Sequence, residues 1–240
     1  MKRSFDFLAA LCGLLALSPV LAFVAVSVWI EDRNSPWFRG VRVGRGGRRF
    51  RMIKFRTMIP DAWKSGVSST ACGDRRITRM GKFLRRAKLD ELPQLWNVLT
   101  GEMSLVGPRP QVESEASRYS AEERGLLNVR PGLTDLASIV FADEGDILAD
   151  AADPDLSYNR IIRPWKSRLA LLYLERQSLA ADFQILWLTL LAGIAREKAL
   201  DGVERMLSAW NADSLLRRMA GRREPLLAWP PPGTGRTVSE

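Results

Sequence analysis

The 240-residue sequence has no histidine and only two cysteines. Serine–histidine and cysteine–histidine nucleophile pairs, and metal sites built on imidazole, are thereby excluded. Cys12 falls in an apolar run and Cys72 in a polar one. Neither a disulfide nor a zinc site is expected, and reduced thiols are the simpler state. Charge is missing too: Phe7 to Ile30 is 24 residues without any. Elsewhere acids are in deficit, 27 Asp and Glu against 36 Lys and Arg, for a net charge of +9. A chain this basic suits an anionic partner, whether a lipid surface, a nucleotide or a nucleic acid. Its length suits one domain with appendages.

The uncharged segment has three readings. A signal peptide is disfavoured, because the apolar region is long and no cleavage site ends it. A helix of that length reaches across a hydrocarbon core of about 30 Å. The third reading is a re-entrant helical hairpin. Pro19 removes a backbone donor and frees the carbonyl of Leu15, and Ser18 beside it can satisfy the freed group. Lys2 and Arg3 precede the segment, and Arg33, Arg39, Arg42, Arg45, Arg48 and Arg49 come after it. Both flanks favour the cytoplasmic side. A spanning helix exports one basic flank, and a hairpin exports neither.

Residues 39–56 alternate arginine with valine around Gly44–Gly47, which predicts a basic β-hairpin facing solvent or lipid headgroups. No nucleic-acid motif accompanies it. Residues 61–79 read as a loop ending in Asp74-Arg75-Arg76-Ile77-Thr78. Helical pieces are expected over 81–88 and 90–100. The second opens on the acid pair Asp90-Glu91, with Leu92, Leu95, Trp96, Val98 and Leu99 at helical spacing and Gly101 as its stop. By itself the pair is a dipole-matched helix start. Yet Arg85, Arg86 and Lys88 precede it and a rigid Pro108-Arg109-Pro110 corner lies beyond. Carboxylates, cations and a helix start are the parts that hold a metal and a phosphate together.

Beyond the corner, 111–123 reads as a charged surface helix and 141–158 as an acidic loop carrying Asp143, Glu144, Asp146, Asp150, Asp153 and Asp155. The stretch 164–191 is apolar-periodic. Residues 196–218 form an amphipathic helix for the membrane or the core, and 221–240 a disordered tail. Trp29, Trp37, Trp165 and Trp187 are candidate headgroup-level anchors.

Leu89-Asp90-Glu91-Leu92-Pro93-Gln94 through Pro108-Arg109-Pro110 resembles the signature of the bacterial sugar transferases, the monotopic polyprenol-phosphate phosphoglycosyl transferases. Matching positions run from Lys2-Arg3-x-Phe5-Asp6 through Ser18-Pro19, Arg42-Val43-Gly44 and Lys54-Phe55-Arg56-Thr57-Met58. They continue through Asp74-x-Arg76-Ile77-Thr78 to Arg130-Pro131-Gly132-Leu133-Thr134. The resemblance covers roughly 1–195. Gly40, Lys88, Glu102 and Asp135 depart from the usual pattern.

The resemblance implies an α/β, mostly helical fold, with a re-entrant membrane helix-hairpin at 1–30 broken at Ser18-Pro19 and a small cytoplasmic α–β catalytic domain at 31–195. Beyond it, the third part, 196–240, reads as interfacial amphipathic helix and tail. The resemblance also implies Asp90 as nucleophile and Glu91 as ligand of Mg²⁺, with Arg85, Arg109, Arg56, Pro108 and Pro110 holding substrate phosphates. Asp74, Arg76, Gln94 and Asn97 are expected to support them. The implied partners are a nucleotide-sugar donor, a polyprenol phosphate acceptor and membrane lipid, with no nucleic acid and with room for a homodimer. The implied location is the bacterial inner membrane, catalytic domain facing the cytoplasm. The competing readings are a catalytically silent scaffold of the same fold and a membrane-anchored nucleic-acid binder.

Overall fold

A single long helix, α1 (Lys2–Asp32), carries the whole uncharged segment. The computed structural model describes residues 1–62, 74–149 and 151–235, so readings that fall on Cys72 and Asp150 lie outside the described residues. Helical structure runs unbroken through Pro19, and no turn divides it into two limbs. Proline leaves the Leu15 carbonyl without its usual donor, and Ser18 Oγ donates to that oxygen at 2.8 Å. One stripe of α1, including Asp6, Ala10, Val24 and Val28, is buried on the rest of the chain, while Leu8, Leu15, Phe23 and Ile30 are exposed.

The expected hairpin comes next as β1 (Trp37–Val43) and β2 (Arg49–Phe55), antiparallel with Gly40 opposite Met52. Gly46 and Gly47 make its turn at positive φ. Helix α2 (Arg79–Arg86) begins at Thr78, whose hydroxyl accepts from the Gly81 amide. The acid pair does not open the next α-helix. Asp90 and Glu91 lie on a 3₁₀ turn, Leu89–Glu91, and α3 (Gln94–Thr100) starts after Pro93. Pro93 has no N–H to give the Leu89 carbonyl, so that oxygen is reached instead by the Leu92 amide one residue earlier.

A parallel pair, β3 (Ser104–Val106) with β4 (Gly132–Thr134), crosses the centre. The charged surface helix expected over 111–123 shrinks to α4 (Glu113–Ala116) and a 3₁₀ stretch, Glu123–Asn128. Glu123 is fully buried, accepting from Arg163 and Ser167. Short helices α5 (Leu136–Val140), α6 (Glu144–Ile147) and α7 (Pro154–Ser157) lead to a π-helical turn, Tyr158–Ile162. The long helices α8 (Arg163–Glu175) and α9 (Leu179–Ala192) come after it.

The last two helices, α10 (Arg196–Ala209) and α11 (Ser214–Gly221), pack on the main core through Leu200, Val203, Leu207, Leu216 and Met219. Of the two places open to this amphipathic stretch, the core wins. The stretch after Gly221 is not a disordered tail up to residue 235. The Trp229 amide donates to Arg160, Ser120 Oγ donates to the Pro232 carbonyl, and Pro231 and Pro232 are buried. Trp165 is likewise no headgroup anchor: it is 1 % exposed, stacked on Trp229, with its indole N–H on the Leu227 carbonyl. Trp29, Trp37 and Trp187 do face outward. The architecture is mostly helical, with two small sheets among the described residues.

Candidate active site

The two signature acids have opposite surroundings. Glu91 is held on every side. Its Oε1 accepts from Lys54 Nζ at 2.6 Å and from one terminal nitrogen of Arg109, and its Oε2 accepts from the other at 3.2 Å. These cations hold the Glu91 carboxyl far below the ordinary glutamate range despite its burial, and the same pair drives the Arg109 guanidinium up. Asp90 is 8 % exposed and makes no hydrogen bond or ion pair with the described residues. Burial pushes its pKa up, only partly offset by the charges of Lys54, Arg85 and Arg109.

Backbone geometry puts these side chains together. Lys54 comes from the last turn of the pleat in β2, and the Asn97 side chain fixes that strand. Its carbonyl accepts from the Ile53 amide at 3.0 Å, and its amide donates to the Arg51 carbonyl at 2.9 Å and to Glu102 at 2.7 Å. Arg85 lies in the last turn of α2, and its Nε donates to Thr57 Oγ1 at 2.8 Å. Helix α2 can approach there because residue 81 is glycine: a Cβ would sit 2.1 Å from the Thr57 carbonyl oxygen. Arg109 comes after β3 across Gly107, which is wedged against Gly132. A Cβ on Gly132 would lie 2.1 Å from the Gly107 nitrogen. Pro108 and Pro110 flank Arg109, and the Pro108 carbonyl accepts from Gly132 at 2.9 Å.

Asp74 and Arg76 form the expected pair, at 2.6 Å, and the charge of Asp74 reaches Arg85. Gln94 is fully buried, and neither of its amide atoms has a hydrogen-bond partner among the described residues. Arg56 goes elsewhere. Its two terminal nitrogens hold both oxygens of Asp32 at 2.6 Å, and its Nε donates to the Ser35 carbonyl. It clamps the end of α1. Strand β2 stops at Phe55, so the pleat no longer decides where residue 56 points.

Sequence reasoning missed Lys54 and Arg42. Arg42 is half-buried, lies within the field of Arg109, and its pKa is lowered chiefly by burial. Strand alternation could have found both, since Arg42 and Lys54 lie on opposite strands of one hairpin away from its exposed arginines. The departing residues also have places. Lys88 sits at φ 56 just before Leu89, Glu102 accepts from Asn97, and Asp135 caps α5 by accepting from the Ser138 amide at 2.6 Å.

Among the described residues no three His, Cys, Asp or Glu side chains converge as a metal cage. Mg²⁺ is commonly held by one or two carboxylates plus substrate phosphate oxygens. Glu91 fits that donor set through Oε2, whose one bond is the longer.

The bacterial sugar transferase model matches residues 1–196. The chain belongs to that family. Among relatives of this bacterial sugar transferase is the UDP-N-acetylgalactosamine-undecaprenyl-phosphate N-acetylgalactosaminephosphotransferase of Aeromonas hydrophila. It is 35 % identical over 170 residues, covering 69 % of this chain and 40 % of that protein. The UDP-glucose:undecaprenyl-phosphate glucose-1-phosphate transferase of Klebsiella pneumoniae is 34 % identical over 202 residues, 82 % of this chain and 41 % of its own. The exopolysaccharide production protein ExoY of Rhizobium meliloti is 40 % identical over 153 residues, 58 % and 68 % respectively. The chain thus spans about two fifths of the length of the first two.

Proposed function

We propose that this bacterial sugar transferase is a membrane enzyme that moves a sugar-1-phosphate from a UDP-sugar to a polyprenol phosphate, with undecaprenyl phosphate as the acceptor. The reaction would initiate assembly of a surface glycan such as an exopolysaccharide. The names of the relatives support the substrate classes. The observation that carries the chemistry is the contrast within the acid pair: one buried carboxylate without a hydrogen-bond or ion-pair partner among the described residues beside one held by two cations.

An unpartnered carboxylate of raised pKa is a better nucleophile than a salt-bridged one. In the first step an Asp90 oxygen bonds to the β-phosphorus of the donor. The bond from that phosphorus to the bridging oxygen breaks, and the electron pair leaves with UMP. In the second step an oxygen of the polyprenol phosphate bonds to the same phosphorus. The acyl–phosphate bond breaks and the Asp90 carboxylate returns. Arg85 and Arg109 are cations placed for the diphosphate, and Lys54 and Arg42 add to the field. Glu91 would hold Mg²⁺, which when bound neutralises charge on the diphosphate.

Both ends of α1 are tied to the same folded domain. Lys2 pairs with Asp182 at 2.5 Å and Asp6 accepts from Ser104 at 2.8 Å, while Asp32 pairs with Arg56 and Glu31 accepts from the Arg79 amide at 2.8 Å. Those contacts support an α1 that enters and leaves by one membrane face, with the domain on the cytoplasmic side where its arginines belong. Exposed Phe183, Trp187, Leu190 and Ile194, at helical spacing along and just past α9, extend the lipid-facing surface.

The purified protein, given a panel of UDP-sugars with polyprenol phosphate and Mg²⁺, should release UMP from at least one. No UMP from any member of the panel would remove this reading and leave the silent scaffold.

A further inference from the structure

The family match ends at residue 196, where α10 begins. Helices α10 and α11, beyond that point, pack on the main core, and one carboxylate, Asp143, also ties both of them to the acidic loop. Asp143, just after α5, is gripped from two directions. Arg222 at the end of α11 donates to its Oδ2 at 2.9 Å, and Arg196 at the start of α10 lies 2.8 Å from its Oδ1 as an ion pair without hydrogen-bond alignment. The Arg222 side chain is 13 % exposed and also lies over the Phe141 ring, 5.7 Å from its centroid, with the Lys166 ammonium 5.9 Å from the same ring. The next residue, Glu144, pairs with Lys166.

This loop is not remote from the catalytic groups. Helix α5 leads to it from Asp135, the residue after β4, and β4 is the strand wedged against Gly107 beside Arg109. Asp135 and Glu144 both contribute to the field that raises the Arg109 pKa.

We propose that the appended helices position the acidic loop at the site, with Asp143 as the positioning residue and Arg196 and Arg222 as its clamp. The loop, so held, keeps Glu144 on Lys166 and sets the donor side of the Arg109 corner. The proposal rests on the UDP-sugar reading for its kinetic consequence, but the clamp is testable without it.

The test uses the full chain in detergent, comparing Arg222→Gln, Arg222→Lys, Asp143→Asn and the double variant Arg222→Gln/Asp143→Asn. Hydrogen exchange of peptides spanning 141–149 should speed up about tenfold in Arg222→Gln, with exchange in α3 and α8 unchanged. The KM for the UDP-sugar should rise roughly three- to tenfold with kcat within about twofold, and Arg222→Lys should recover part of it. The double variant should be no worse than Asp143→Asn alone, because that substitution already removes the Arg222 contact along with the Arg196 one. Unchanged exchange in the loop overturns the clamp whether or not any UDP-sugar turns over. Faster exchange with unaltered KM in an active enzyme overturns the positioning role, and so do additive losses. A wild type that releases no UMP defeats the functional reading instead, and the exchange result still decides the clamp.

Discussion

At the scale of single residues, adjacency and equivalence are different things. Asp90 and Glu91 are neighbours in sequence, yet one carboxylate has no hydrogen-bond or ion-pair partner among the described residues and the other has three donor atoms. Their contributions to stability have opposite signs. The raised pKa of Asp90 means that the fold prefers its protonated form. That preference is fully present below the ordinary aspartate value and is lost as pH rises through the raised one, so ionised Asp90 burdens the fold at neutral pH. The depressed pKa of Glu91 works the other way: its stabilisation is present above the ordinary glutamate value and is lost as pH falls through the folded one. Asp90→Asn should therefore abolish UMP release and leave no phosphosugar on the protein. It should also raise stability by about 0.5–2 kcal/mol, read as a higher unfolding midpoint. Glu91→Gln should be slow and less stable, with extra Mg²⁺ recovering part of the rate. The acid limb of the UMP-release profile should lie above the usual aspartate range, and a limb within that range would argue against Asp90 as the nucleophile. Arg109→Lys keeps the charge and loses the fork, and should slow turnover about tenfold or more, or about 1.4 kcal/mol.

At the scale of elements, backbone contacts that no side chain tolerates decide where the cations land. A Cβ on Gly132 would overlap the Gly107 backbone, whereas one on Gly46, which unlike Gly132 sits at positive φ, would meet nothing within 4 Å. Gly132→Ala should thus cost on the order of 3–5 kcal/mol and separate β3 from β4, while Gly46→Ala should cost about 1 kcal/mol from strain alone. Denaturation of the two variants in the same detergent checks the contrast, and equal losses would show that the close approach is not what holds the Arg109 corner. The sequence made part of this readable. Arginine–valine alternation around four residues rich in glycine marked the hairpin, and Gly101 marked the end of α3. The 3₁₀ turn under the acid pair was hidden because it depends on which oxygen the missing Pro93 donor abandons. The clamp of Arg56 on Asp32 was not legible, because strand alternation stops one residue before Arg56 and its partner lies at the end of α1. The ordered stretch after Gly221 rests on Trp165, Arg160 and Ser120, partners too distant in sequence for local composition to reveal.

At the scale of the whole molecule, the question is what a 31-residue helix of about 46 Å does when both of its ends are fastened to one body. A spanning pose must break one set of fastenings, either Lys2 with Asp182 and Asp6 with Ser104, or Asp32 with Arg56. The alternative keeps both sets and sinks the exposed middle into one leaflet, where Leu15, Val20 and Phe23 meet lipid. Pro19 and Ser18 make that pose tolerable. The Leu15 carbonyl, deprived of its donor, is satisfied by the Ser18 hydroxyl rather than by water that the bilayer core does not supply. Pro19→Leu restores the missing donor and the straight ladder. In a background lacking Cys12 and Cys72, a cysteine added at the N-terminus of the parent should stay shielded from an impermeant thiol reagent applied to the periplasmic side. With Pro19→Leu a measurable fraction should become labelled, and UMP release should fall in proportion as Lys2 leaves Asp182. Periplasmic labelling of the parent itself would place the N-terminus across the membrane and defeat the single-face arrangement.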